Sequence, residues 1–203
     1  MKSLLGSFTK QKSKIELEIQ EEIEIVSKLI SLLIDLGGRK NSEKDLVRVL
    51  ELETEMEDKN NRFLQSINNK YSLPFYWEEL YDLYMEIRKV FSYLMRYFNK
   101  RNILENTEIF NSFLTKQSEI MKNIVQFLKE YKTSRKYVQE LLKNNGILVK
   151  SLTQLHFKII SNTVFESKDS LLKYNMMEIL DNISNVDYNI QDLLNKILLT
   201  SGI

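Results

Sequence analysis

The segment from Leu172 to Ile197, LKYNMMEILDNISNVDYNIQDLLNKI, decides the fold. Leu172, Met176, Ile179, Ile183, Val186, Ile190, Leu193 and Ile197 recur at intervals of three and four residues, which gathers them on one side of an α-helix and scatters them over both faces of a strand. A helix with one apolar stripe must bury it against a neighbour. Two other segments carry the same spacing. Leu80, Leu83, Ile87, Phe91, Leu94 and Phe98 form one seam; Val138, Leu141, Leu148, Leu152, Leu155 and Ile159 form another, interrupted by Asn145.

Outward from these stripes, the punctuation is sparse. A chain of 203 residues with Gly 5 and Pro 1 has few turns to spend, which excludes a sheet of many hairpins. The first helix is expected from Lys14 to Leu36, stopped by Gly37-Gly38 because glycine tolerates positive φ. A second begins at Ser42, whose side chain caps the free N–H groups together with Asp45, and runs to Asn69. The third opens with Ser72-Leu73-Pro74, carries Glu78 and Glu79 where the helix dipole favours acids, and closes near Asn99. The remaining helices are expected from Thr107 to Tyr131, Ser134 to Thr163 and Ser167 to Leu199, with a kink at Gly146. The fold class is all-α: six long helices, antiparallel to their neighbours because the connections are short.

Composition narrows the function. Lys+Arg 29 against Asp+Glu 28 leaves a formal charge of +1, so no overall field draws in nucleic acid. Basic clusters at Lys10–Lys14 and Lys129–Lys136 sit at helix ends, where positive charge complements the dipole. Cys 0 removes thiol catalysis and thiolate metal sites, and a reducing, cytoplasmic compartment fits best. The opening Met1-Lys2-Ser3-Leu4-Leu5-Gly6-Ser7-Phe8 has too short an apolar run for a signal peptide. Ile23 to Leu36, the most apolar stretch, contains Glu24, Lys28 and Asp35, so no direct membrane insertion is expected.

Chemistry-bearing residues are few. The single histidine, His156, flanks a seam, and packing is its expected role. With Thr153 three positions earlier, the Glu-x-x-His pair of di-iron bundles is missing. No enzyme is expected. In the second helix, Leu46, Glu53, Asn60 and Ile67 are spaced by sevens, alternating with Val49/Leu50, Met56 and Phe63/Leu64, which puts Glu53 and Asn60 on the apolar face. Glu57 lies one turn beyond Glu53, and two carboxylates so placed can hold a cation through oxygen; pairing of Glu53 with a Lys or Arg is the structural alternative. About half of the aromatics fall between Tyr71 and Phe98. Tyr76, Trp77, Tyr81 and Tyr93 stand off the stripe there and make either inter-helix packing or a partner surface.

The run Leu50-Glu51-Leu52-Glu53-Thr54-Glu55-Met56-Glu57, with Ile67, Tyr71, Pro74-Phe75 and Glu78-Glu79-Leu80, resembles the PhoU-like family, in its branch of phosphate-transporter accessory proteins. Lys173 to Ile197, including Met177-Glu178-Ile179-Leu180-Asp181, resembles that family's last helix. The resemblance implies two pseudosymmetric three-helix bundles, with halves at about 1–102 and 103–203. It further implies a non-catalytic cytosolic regulator whose partner is a membrane phosphate transporter; the long amphipathic helices themselves leave room for a homodimer. The family's paired-acid metal motifs carry over only as Glu53, Glu57 and Asp181; Arg88, Ser92, Lys150, Gln154 and Asn185 occupy other motif positions. A multinuclear cluster is therefore not expected, and a weakly bound divalent or iron cation is the most the motifs allow. A metal-binding sensor or enzyme built on Glu53 and Glu57, or a helical adaptor unrelated to phosphate, are the alternatives.

Overall fold

The computed structural model describes residues 14–37, 39–68, 77–100, 107–166 and 170–201. The expected helix opening at Ser72-Leu73-Pro74, Tyr76, most of the first basic cluster and the join between the two halves lie outside the described residues. Among the described residues there are six helices and no strand: α1 Lys14–Leu36, α2 Glu43–Asn68, α3 Trp77–Lys100, α4 Thr107–Glu130, α5 Arg135–Glu166 and α6 Ser170–Thr200.

Helix ends follow from local chemistry. Gly37 takes a φ of 48°, the left-handed conformation that ends α1, and its N–H donates to the Ile34 carbonyl at 3.0 Å. The α2 cap is reciprocal: the Ser42 N–H donates to Asp45 Oδ2 at 2.8 Å, and the Asp45 N–H reaches Ser42 Oγ at 3.4 Å. Arg39 forks onto the same carboxylate at 2.6 and 3.0 Å. These bonds, Arg39's foremost, hold the Asp45 carboxyl well below the usual carboxylate range.

Packing sorts the helices into a centre and two flanks. Helix α1 packs on α2, α3 and α4; α6 packs on α3 and α5; α5 also packs on α4. Lys28 with Glu55, and Lys59 with Glu21, run α1 and α2 antiparallel. Glu16 near the start of α1 meets Tyr131 and Lys132 just past the end of α4, and Arg96 late in α3 meets Glu178 early in α6. Thus α1/α4 and α3/α6 are antiparallel too, with α2 and α5 laid on the outside. The buried apolar side chains of all six helices form one continuous core.

In α3, Leu80, Leu83, Ile87, Phe91, Leu94 and Phe98 are all buried, and in α6 so is every stripe member from Met176 to Ile197. Two expectations are corrected. Along α2 the buried series is Val49, Leu52, Met56 and Phe63, while Leu46, Leu50, Leu64 and Glu53 are exposed and Asn60 is half-buried. Two interleaved stripes compete there, and the one that wins buries Phe63 and leaves Glu53 in water, avoiding an unpaired interior charge. Along α5 the deepest positions include Leu142 and Val149, while Leu141, Leu148 and Leu155 are half-buried. Packing against both α4 and α6 broadens the stripe.

Helix α5 runs unbroken through Gly146, and a Cβ built there meets no heavy atom within 4 Å. Gly146→Ala should therefore stabilise the chain by about 0.5–1 kcal/mol through the entropy of the unfolded chain. Chemical denaturation should show the gain as a higher midpoint with an unchanged slope.

Candidate functional site

The aromatic segment divides between core and surface. Tyr84 is fully buried and lies flat on Phe63, with ring centroids 3.5 Å apart. Tyr97 is buried and stacks on Phe110 at 3.8 Å. Trp77 and Tyr81 remain half-buried on successive turns of α3, and Met85 stands exposed one turn further on. Leu64 of α2 is exposed next to Phe63, whose ring also contacts Tyr81 at 6.2 Å. Trp77, Tyr81, Met85 and Leu64 thus form an apolar edge where α2 ends and α3 begins. Leu64 is expected from the sequence on the apolar stripe of α2 and stands exposed instead, while Met85 is not singled out there; the interval of four from Trp77 through Tyr81 to Met85 carries its signal. Tyr93 is half-buried beneath the Arg96 guanidinium, 5.8 Å from the ring centroid.

The acids expected to hold a cation are apart in role. Glu53 and Glu57 are exposed on α2. Asp181, also exposed, faces His156 across α5/α6, with Oδ1 3.1 Å from Nε2. Among the described residues, no group of three or more His, Cys, Asp or Glu side chains is placed to share a metal ion. His156 is buried against Phe157, and burial lowers its imidazole below the ordinary value even with Asp181 beside it.

Three polar groupings lie inside the bundle. In the first, Tyr84 donates to Asn60 Oδ1 at 2.8 Å and accepts from Arg88 Nη1 at 3.1 Å. The same guanidinium stands 3.9 Å from Glu22 Oε1. Burial pushes the Glu22 carboxyl up to about 7, against the pull of Tyr84 and Arg88. Burial also raises the Tyr84 hydroxyl, which therefore stays protonated and donates. This grouping ties α1, α2 and α3 together.

In the second, Asn123 donates to Asn145 at 3.2 Å, Asn145 to Gln191 at 2.8 Å, and Gln191 to the Leu142 carbonyl at 3.2 Å. It ties α4, α5 and α6 together and accounts for the polar interruption of the α5 seam. In the third, Gln117 Nε2 of α4 donates to Asp187 Oδ1 of α6 at 2.9 Å, both side chains wholly buried. Asp187 Oδ2 and Gln117 Oε1 have no partner, and burial pushes the Asp187 carboxyl up to about 7. Among the described residues, then, these three polar groupings serve packing between helices, and the apolar edge at Trp77 is one of the features that packing leaves unused.

No protein-family model matches the chain, and no curated protein matches its sequence.

Proposed function

We propose that the chain is a non-catalytic helical regulator that acts by binding a protein partner, and that the partner is a membrane phosphate transporter approached from the cytosol. The observation that carries the binding role is the edge formed by Trp77, Tyr81, Met85 and Leu64: aromatic and apolar side chains left partly in water beside a completed core are favoured anchors for a partner. No helix of the described residues is long and apolar enough to cross a membrane, so contact with a transporter would be made from one side of it.

The link to phosphate rests on the resemblance of α2 and the start of α3 to PhoU-like accessory proteins. Two features support that family's division into pseudosymmetric three-helix halves. The contacts α1/α4 and α3/α6 are those that a two-fold exchanging 1–102 with 103–203 maps onto themselves, and it maps α1/α2 onto α4/α5, whereas α1/α3 and α5/α6 have no image of comparable extent among the described residues. The buried series Ile15, Ile19, Ile23, Val26, Ile30 and Leu33 of α1 also has the spacing of Phe113, Gln117, Met121, Ile124, Leu128 and Tyr131 in and just beyond α4. A regulator of this kind works by binding one conformation of its transporter more tightly than another. Phosphate uptake in cells lacking the chain, restored by the natural sequence, is the test; uptake that is the same with and without the chain would refute the transport link.

The second reading, a cation sensor or enzyme using Glu53 and Glu57, is favoured by one observation. Both carboxylates are exposed one turn apart, without an ion-pair or hydrogen-bond partner among the described residues.

A further inference from the structure

Two surface grooves occupy corresponding positions in the two halves and carry opposite charge. The first, of about 560 Å³, lies between α2 and the last turns of α3. The second, of about 670 Å³, lies between α5 and the last turns of α6. On their outer helices, Leu46, Val49, Leu50 and Glu53 of the first have the spacing of Lys143, Gly146, Ile147 and Lys150 of the second. On their inner helices, Phe91, Met95 and Phe98 correspond in the same way to Gln191, Asn195 and Leu198.

The match in shape comes with a reversal in charge. Glu53 is the acid that lines the first groove, with Glu57 one turn beyond its lining; Lys143 and Lys150 line the second and make it basic. All four are exposed and lack an ion-pair or hydrogen-bond partner among the described residues. Arg96, the cation of the first groove, is already engaged by Glu178. Each groove is rimmed by a protruding apolar side chain, Leu50 at 59% exposure and Ile147 at 57%, and Leu199 at 74% adds to the second. Leaving such residues in water is unfavourable, and covering them against another apolar surface would relieve it.

We infer that the occupant of each groove is a second copy of this chain, the α5/α6 groove of one molecule docking on the α2/α3 groove of the next. Lys143 and Lys150 face Glu53 and Glu57 across the contact, and Leu50 and Ile147 interdigitate. Because α3 and α6 are antiparallel, the two grooves lie at opposite ends of the molecule, so the contact is head-to-tail and assembly continues into a ring or a filament. A formal charge of +1 leaves little bulk repulsion between copies. This inference does not depend on the transporter reading.

Analytical ultracentrifugation of the full chain over a wide concentration range tests it. The natural chain should self-associate, less so at high salt. The pair Glu53→Lys/Glu57→Lys should lower the association constant at least about tenfold, and so should Lys143→Glu/Lys150→Glu, since each sets like charges against each other. An equimolar mixture of the two variants restores opposite charges at every contact and should recover assembly. These side chains are all exposed, and unchanged far-UV circular dichroism checks that the variants fold. A natural chain that stays monomeric at every concentration, variants that assemble as well as it does, or a mixture that fails to recover would each overturn the inference.

Discussion

Asparagine in place of Asp187 is expected to raise the stability of the chain at pH 8 by roughly 3 kcal/mol and to change it little at pH 4. Asp187 is wholly buried between α4 and α6 with one hydrogen bond, from Gln117, and its carboxyl is raised to about 7. A carboxyl raised in the folded state binds more protons there than in the unfolded chain. The folded state therefore loses stability as pH rises from the ordinary carboxylate range to about 7, and the deficit is constant above that. Asparagine stays neutral at every pH, still accepts from Gln117, and its amide nitrogen can supply the donor that Gln117 Oε1 lacks. Glu22, also raised to about 7, works in the same window and with the same sign, so Asp187→Asn combined with Glu22→Gln should flatten the profile further. His156 acts oppositely: its lowered value costs stability as pH falls below the ordinary histidine range. Urea unfolding at pH 4, 6 and 8 separates these contributions. An Asp187→Asn chain with the natural pH slope and no gain at pH 8 would show that the interior carboxyl is not the cause.

Phe63→Ala should cost about 3–5 kcal/mol, the usual range for deleting a buried aromatic ring. Phe63 is fully buried, lies face to face with Tyr84, and is the largest side chain that α2 contributes to the core. Helix α2 otherwise depends on Val49, Leu52 and Met56 against α1, with Asn60 bonded to Tyr84. The loss should be local before it is global. In hydrogen exchange, the amides of residues 55–68 should open well before those of α1 and α3. Equal acceleration along all six helices would mean that α2 is no separate unit of stability.

The residues that mislead in the sequence are those where a choice of helix face depends on neighbours. Helices α3 and α6 carry one dominant stripe each, and every stripe position with a described side chain is buried. The Ser42–Asp45 cap and the Gly37 stop are local, and local chemistry sets them. Helix α2 carries two stripes of similar strength, so the face that meets α1 is settled only by what α1 and α3 offer, and Glu53 turns outward. Asp187 and Gln117 are not among the residues that the sequence singles out. Asp187 stands beside Val186 on the α6 stripe, but its burial follows from α6 being covered by α3 and α5, with Gln117 of α4 reaching its carboxylate, which no single helix records. The aromatic segment shows the same division, since Tyr84 and Tyr97 find rings on other helices while Trp77 and Tyr81 stay at the edge.

Trp77 is the only tryptophan of the chain, so its fluorescence reports directly on the edge proposed to meet a transporter. The decisive measurement is titration of the full chain with the purified phosphate transporter of the same cell in lipid nanodiscs, followed by that fluorescence, with surface-immobilised transporter as a second readout for variants that lack the indole. Binding should saturate and shift the emission to shorter wavelength as Trp77 leaves water, and Trp77→Ala/Tyr81→Ala should weaken it at least about tenfold. No saturable binding, or binding that the double variant leaves unchanged, would contradict a regulator that grips a phosphate transporter through this edge.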